Sequence, residues 1–175
     1  MHPRLYAGIL SLVIFFICSA AHAQRIAPAA YGMDVKVNYV RTWEVKVPES
    51  NSSNLTVAST LDKAVMTTQY LDGLGRPIQT VVKGITPSGK DLVTPVVYDA
   101  FGQEEVKYLP FAANATGGNL SVSNGGFKLN PFQQDSAFSK MQYSGESHFY
   151  SQVFFEASPL GRVLVSFAPG DNWAG

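Results

Sequence analysis

The stretch YLDGLGRPIQTVV, residues 70–82, decides the fold that this sequence predicts. An aromatic residue and an acid precede a short turn that contains glycine, and an arginine and a run rich in β-branched residues follow it. An aspartate at the first position of a turn accepts backbone N–H groups, and glycine tolerates a positive φ. The stretch therefore predicts a β-hairpin that turns between Asp72 and Gly75, with Arg76 at the start of the return strand.

Two later stretches have the same design. They are YDAFGQEEVKYL (98–109), with Asp99 and Gly102 in its turn, and FEASPLGRVLVSF (155–167), with Glu156, Gly161 and Arg162. We expect antiparallel hairpins over residues 65–83, 92–110 and 152–167. Gly75 and Gly102 are 27 residues apart, and Gly102 and Gly161 are 59 apart, about twice that distance. Recurrence of one supersecondary unit at such intervals is typical of repeat architectures.

The segments outside the three units fit the same class. Side chains alternate between apolar and polar from Val35 to Val47, which predicts a long strand with Tyr39 and Trp43 on a buried face. The fold class expected is mainly β, with antiparallel hairpins in a partial β-sheet shell and one short helix near 131–141.

An insertion, residues 112–152, separates the second unit from the third. Its start, Asn114–Gly126, is rich in Asn, Gly and Ser and predicts a flexible surface loop. Asn130 before Pro131 predicts a helix start, and the helix should dock on the sheet through Phe138 and Met141.

The N-terminus has the pattern of a secretory signal peptide. Arg4 precedes an apolar run from Ile9 to Cys18, and small residues flank His22 before Gln24. The run is too short to span a bilayer, which takes about 20 residues. We expect cleavage between Ala23 and Gln24, a secreted or cell-surface domain over 24–175, and no membrane span after cleavage.

Composition excludes several classes of function. The chain is 46% hydrophobic and 15% charged, which excludes wholesale disorder. Its net charge is zero, so it lacks the excess of basic residues that indicates binding to nucleic acid. Cleavage would remove the single cysteine, Cys18, and leave His148 as the only histidine. Neither a Cys/His zinc site, nor a cysteine nucleophile, nor a cofactor is predicted. We interpret His148 as a packing or surface residue rather than a member of a catalytic triad.

Four blocks of the sequence resemble a known family. They are NYVRTW (38–43), TTQYLDGLGRP (67–77), PVVYDAFG (95–102) and FEASPLGR (155–162) with APGDNW (168–173). Their order resembles the YD repeats of Rhs and teneurin-like proteins, and more specifically the N-terminal domain, of unknown function, of Bacteroidetes Rhs-repeat-associated proteins. Gln103 replaces the usual arginine, and the third turn is longer and contains Pro159.

The resemblance implies a secreted protein whose YD repeats wind into a β-sheet shell. In the wider family that shell can enclose a toxic or variable C-terminal domain. The implied role is a non-catalytic scaffold that starts or plugs the shell, with the downstream repeats of the same polypeptide as its partner. We expect the chain to continue beyond its turn-rich last residues into further repeats.

Two other functions compete with the scaffold. Exposed aromatic side chains on a repeat shell would suit a surface module that binds glycans. A hydrolase would use carboxylates such as Glu104, Glu105 or Asp72, but neighbouring residues of a strand point to opposite faces, so Glu104 and Glu105 do not form a facing pair.

Overall fold

The structure, a computed structural model, describes residues 27–174. This part of the chain is mainly β, with eight strands in two antiparallel sheets and one α-helix, which confirms the predicted fold class. The predicted signal peptide and its cleavage between Ala23 and Gln24 lie outside the described residues. In chain order the elements are β1 (Asn38–Val45), β2 (Ala64–Leu71), β3 (Pro77–Val82), β4 (Leu92–Pro95), β5 (Val106–Tyr108), β6 (Phe111–Ala112), α1 (Pro131–Gln142), β7 (Tyr150–Phe155) and β8 (Val163–Phe167).

The two sheets divide the predicted hairpins between them. The larger sheet has the strand order β1-β2-β3-β4-β6, and the smaller sheet has the order β5-β7-β8. Strands β2 and β3 form the first predicted hairpin, with a register shift between Tyr70 and Leu71. Strands β7 and β8 form the third, with a shift between Phe154 and Phe155.

The second predicted hairpin, over residues 92–110, forms in part: β4 pairs antiparallel with β6, just beyond the predicted end of the return arm. Strand β4 pairs with β3 and β6, whereas β5 pairs with β7 in the other sheet. A single bridge between Val96 and Lys107 joins the two arms. The return arm therefore divides, because β6 stays beside β4 in the larger sheet whereas β5 turns to β7 in the smaller one. The Asp99 turn consequently carries the chain from one sheet to the other.

The first strand is shorter and more exposed than the alternation predicted. Strand β1 covers Asn38–Val45 and pairs with β2 alone, so it is an edge of the larger sheet. Tyr39 is 56% exposed, contrary to the expected buried face, and Trp43 is half-buried. Alternation defines which side chains share a face, but only an element packed over that face buries them.

The core lies on the larger sheet under a segment predicted to be a flexible surface loop. The sheet supplies buried Tyr70, Val81, Val93 and Phe111, Ala113 follows directly after β6, and Val122 and Phe127 pack against this cluster. Gly125 is buried, and its carbonyl accepts a hydrogen bond from the Tyr70 hydroxyl at 2.8 Å. Asn114–Gly126 is thus an irregular surface segment as predicted, but Val122 and Gly125 attach it to the core.

Helix α1 begins at Pro131 as predicted and docks mostly through polar side chains. Phe138 packs against the core, but Met141 is 74% exposed, so the predicted Met141 contact is wrong. The buried residues of the helix are Pro131, Phe132, Gln134, Asp135 and Ser139. Polar side chains can serve as the buried face here because they find hydrogen-bond partners inside the protein.

Candidate functional site

The first acid–glycine turn is closed by one aspartate. The Asp72 N–H donates to the Arg76 carbonyl, and the Gly75 N–H donates to the Asp72 carbonyl. The Asp72 carboxylate accepts the N–H groups of Leu74 and Arg76 at 2.8 and 2.9 Å, and the Arg76 guanidinium bonds its other oxygen at 2.8 Å. Gly75 has a φ of 78°, which favours glycine.

The second turn repeats this geometry without an arginine. Asp99 and Gln103 pair through the backbone, and the Gly102 N–H donates to the Asp99 carbonyl. The Asp99 carboxylate accepts the N–H groups of Phe101 and Gln103 at 2.8 and 2.7 Å, and Gly102 has a φ of 80°. The turn thus depends on the aspartate and the glycine, whereas the ion pair is an optional addition.

The third turn divides the tasks of the aspartate between two residues. The Ser158 hydroxyl accepts the Leu160 N–H, and the Ser158 carbonyl accepts the Gly161 N–H. Glu156 pairs with Arg162 through the backbone, and its carboxylate bonds the Arg162 guanidinium at 3.0 Å. The longer glutamate side chain reaches across the two extra residues of this turn.

The carboxylates of the first and third turns are stabilised in their charged form. The pKa of Asp72 lies below its ordinary value, chiefly because the Arg76 backbone N–H donates to it. The pKa of Glu156 is also lowered, chiefly by the hydrogen bond from the Arg162 side chain. Hydrogen bonds to a charged carboxylate favour that form.

The three turns, Asp72–Arg76, Asp99–Gln103 and Glu156–Arg162, contact one another in chain order, and we call them the turn stack. The Arg76 guanidinium lies 4.4 Å from the centre of the Tyr98 ring. A Cβ on Gly102 would lie 2.9 Å from Arg76 Nη1, and a Cβ on Gly161 would lie 2.5 Å from Gln103 Nε2. In each case the residue that follows the glycine of one turn places its side chain over the glycine of the next turn.

A buried polar cluster fixes residues 125–128 to the side of the larger sheet. Lys128 Nζ lies 2.7 Å from Asp91 Oδ2, and both side chains are fully buried. The Asp91 carboxylate also accepts the N–H groups of Gly84 and Gly125, and the Gln79 amide bonds both backbone groups of Lys128. Burial lowers the pKa of Lys128, and the Asp91 carboxylate opposes that shift. The sequence carries no spacing signal for this pair, whose members lie 37 residues apart in irregular segments.

A cleft of about 280 Å³ opens between residues 143–149, after α1, and residues 169–173, after β8. The Asp171 carboxylate accepts the N–H groups of Ser147 and His148 at 2.8 and 2.9 Å, and it lies 2.8 Å from His148 Nδ1. The Asp171 N–H donates to the Glu146 carboxylate. The pKa of Asp171 is lowered, chiefly by the hydrogen bond with the His148 side chain.

Other sequence-based candidates occupy ordinary structural positions. Glu104 and Glu105 precede β5, so the expectation that they alternate along a strand is wrong. Within residues 27–174, no three His, Cys, Asp or Glu side chains lie close enough together to hold a metal ion. The described part of the chain also has no helix with the length and apolar character needed to cross a membrane.

Together, the two antiparallel sheets and the turn stack define a β-protein built on recurring acid–glycine turns. Residues 41–175 match the family model described as a domain of unknown function, DUF6443, and the chain belongs to that family. No match was found among curated proteins or among solved structures.

Proposed function

We propose that this chain is an exported, non-catalytic scaffold that starts or plugs a YD-repeat β-sheet shell at the cell surface. Its partner is a downstream set of repeats in the same polypeptide. The resemblance to Rhs proteins suggests a polymorphic-toxin or contact-dependent system, and the N-terminal apolar run suggests export. The observation that carries the proposal is the turn stack.

The turn stack has a direction that a following repeat would extend. Arg76 covers Gly102, and Gln103 covers Gly161. Arg162 holds the equivalent position in the third turn, where its side chain is 72% exposed. A further acid–glycine turn placed on Arg162 would continue the series.

The smaller sheet offers an edge and an apolar surface to such a repeat. Among the described strands, β8 pairs with β7 alone. Exposed edges recruit further strands because their N–H and C=O groups need partners. The apolar side chains exposed at this end of the sheet are Phe154, Leu160, Val163, Leu164 and Val165.

The test compares residues 24–175 with a longer form that includes the next repeats encoded in the same gene. The short form should self-associate with rising concentration in light scattering, and the longer form should be monomeric with a sharper thermal transition. A monodisperse short form that melts at the same temperature as the longer form would contradict the scaffold proposal. So would a gene without further repeats.

Two single substitutions localise the self-association. Val165→Lys places a charge on β8 and should suppress the self-association of the short form, because charged residues block edge pairing. Leu120→Lys is the matched control, since Leu120 is highly exposed in the segment between β6 and α1. Equal effects of the two substitutions would mean that β8 is not the associating edge.

A further inference from the structure

The cleft between residues 143–149 and 169–173 carries two exposed aromatic rings. Trp173 is 69% exposed and Tyr143 is 49% exposed. Tyr143 stacks on buried Phe149, with ring centres 6.4 Å apart and planes 29° apart. Large aromatic side chains are normally mostly buried, so two exposed rings on one small cleft indicate a ligand-binding surface.

The cleft is held in shape by bonds between its two walls. Asp171 accepts hydrogen bonds from two N–H groups of the opposite wall and pairs with the His148 ring. The Asp171 N–H donates to Glu146, and the Gly170 N–H donates to the His148 carbonyl at 2.8 Å. A cleft fixed in this way loses little conformational freedom when it binds, which favours affinity for a small ligand.

The lining combines apolar rings with neutral and acidic hydrogen-bonding groups. Glu146, Asn172 and His148 share the cleft with the aromatic rings. The His148 Nδ1 faces the Asp171 carboxylate, so in the neutral ring that nitrogen carries the proton and Nε2 is an acceptor. A carboxylate, an amide and an imidazole suit a ligand with several hydroxyl groups, and the rings suit a ligand with an apolar face.

A sugar ring has both properties, since its C–H groups form an apolar face and its hydroxyl groups surround the rim. An ammonium ion is the competing ligand, because a carboxylate among aromatic rings can hold a cation. Such a cage needs several rings close around one point. In the described part of the chain, Tyr143 pairs with Phe149, whereas Trp173 has no ring partner and presents an open face.

We propose that this cleft binds a neutral saccharide unit, with Trp173 as the stacking surface and Glu146, Asn172 and His148 as the hydroxyl-binding groups. The volume of about 280 Å³ falls just below the roughly 300–1,000 Å³ of pockets for drug-sized ligands. It therefore suits one small unit of a longer glycan. This binding does not depend on the scaffold proposal, because it uses neither β8 nor the turn stack.

The experiment starts with the full chain on an array of neutral plant, animal and bacterial glycans. Hits are then titrated by isothermal titration calorimetry, which needs no tryptophan reporter and so applies equally to the parent chain and to the Trp173 variants. Trp173→Ala should weaken binding by about tenfold or more, because aromatic anchors dominate such sites. Trp173→Phe should keep most of the affinity.

Two further variants distinguish saccharide binding from cation binding and from contact with any exposed ring. Glu146→Gln keeps an acceptor but loses the charge, so it should weaken saccharide binding by up to about tenfold without abolishing it, whereas it would remove binding of an ammonium ion. Tyr39→Ala removes an exposed aromatic ring outside the cleft and should leave binding unchanged. Thermal melts confirm that each variant is folded.

Three outcomes would overturn the proposal. The first is an array on which no neutral glycan binds. The second is a Trp173→Ala variant that keeps the affinity of the parent chain. The third is binding of tetramethylammonium, used as the cation probe, that is lost in Glu146→Gln while glycans fail to compete.

Discussion

The hairpins β2–β3 and β7–β8 have related turns but different surroundings. Val81 on the return strand of the first hairpin is fully buried, whereas Val163 on the return strand of the second is 58% exposed. The first hairpin lies in the middle of a five-stranded sheet under residues 113–130, and the second forms the edge of a three-stranded sheet. An acid–glycine turn therefore brings two strands together, but it does not build a core.

The largest expected difference concerns the buried ion pair under the first hairpin. Lys128→Ala would leave the buried Asp91 carboxylate without its counter-charge, so it should lower the free energy of unfolding by about 3–5 kcal/mol. Lys107→Ala, at the exposed position of β5, should change it by less than about 0.5 kcal/mol. Urea denaturation of both variants tests the contrast, and similar losses would show that the two sheets are equally dependent on their polar contacts.

Asp135, a buried residue of helix α1, makes the free energy of unfolding depend on pH. Burial raises the pKa of Asp135 to about 6 from 3.8. The folded state therefore binds this proton more tightly than the unfolded state, and the resulting stabilisation is lost as the pH rises from about 4 to about 6.

The Asp135→Asn variant removes that titration. Relative to the variant, the parent chain should lose about 2–3 kcal/mol of stability between pH 4 and pH 7. The difference between the two stability profiles is the measurement, because the other carboxylates are common to both proteins. Parallel profiles would place Asp135 in contact with water.

Apolar truncation compares the two return strands directly. Val81→Ala removes buried methyl groups and should cost about 2 kcal/mol, whereas Val163→Ala should cost less than about 0.5 kcal/mol. Thermal melts of the two variants give the comparison. If Val163→Ala is equally costly, the smaller sheet is covered in solution by another surface, which the self-association measurement would identify.

The smallest expected effect separates the stability that a single turn provides from the stability that contacts between turns provide. Gly75→Ala and Gly102→Ala both place a Cβ at a positive φ, and each should cost about 1–2 kcal/mol. Gly102→Ala should cost slightly more, because its Cβ would meet Arg76, whereas a Cβ on Gly75 meets nothing within 4 Å.

A double variant measures the extra cost. Adding Arg76→Ala should relieve the contact in Gly102→Ala and leave the cost of Gly75→Ala almost unchanged. A coupling energy of zero between Arg76 and Gly102 would indicate that the turns do not support one another.

The hairpin prediction succeeded where the local sequence specifies the local structure. The turn residues at Asp72–Gly75 and Ser158–Gly161 are followed by strands that fold back on their predecessors. It succeeded only in part for residues 92–110, where β6 pairs with β4 but β5 pairs with β7 in the other sheet. The pairing with β7 is not visible in the local pattern, because β7 lies far along the chain, after α1.

The candidate cleft is beyond the reach of the sequence for a similar reason. His148 and Asp171 are 23 residues apart, and the strand pairing of β7 with β8 brings their segments together. The residues next to His148 in the chain carry no signal of a site. The aromatic residues expected on a strand face, Tyr39 and Trp43, also give no hint that Tyr143 and Trp173 share a cleft.

The sequence by itself determined the class of structure and the turns. Acids, glycines and β-branched residues act over a few neighbouring residues, so their effects can be predicted from the sequence. Burial was decided by the tertiary structure, because it depends on which distant segment lies over a strand. The Asn/Gly/Ser-rich segment looks like a free loop in isolation, yet its end is attached to the core because Asp91 and Tyr70 give the Gly125 backbone buried hydrogen-bond partners.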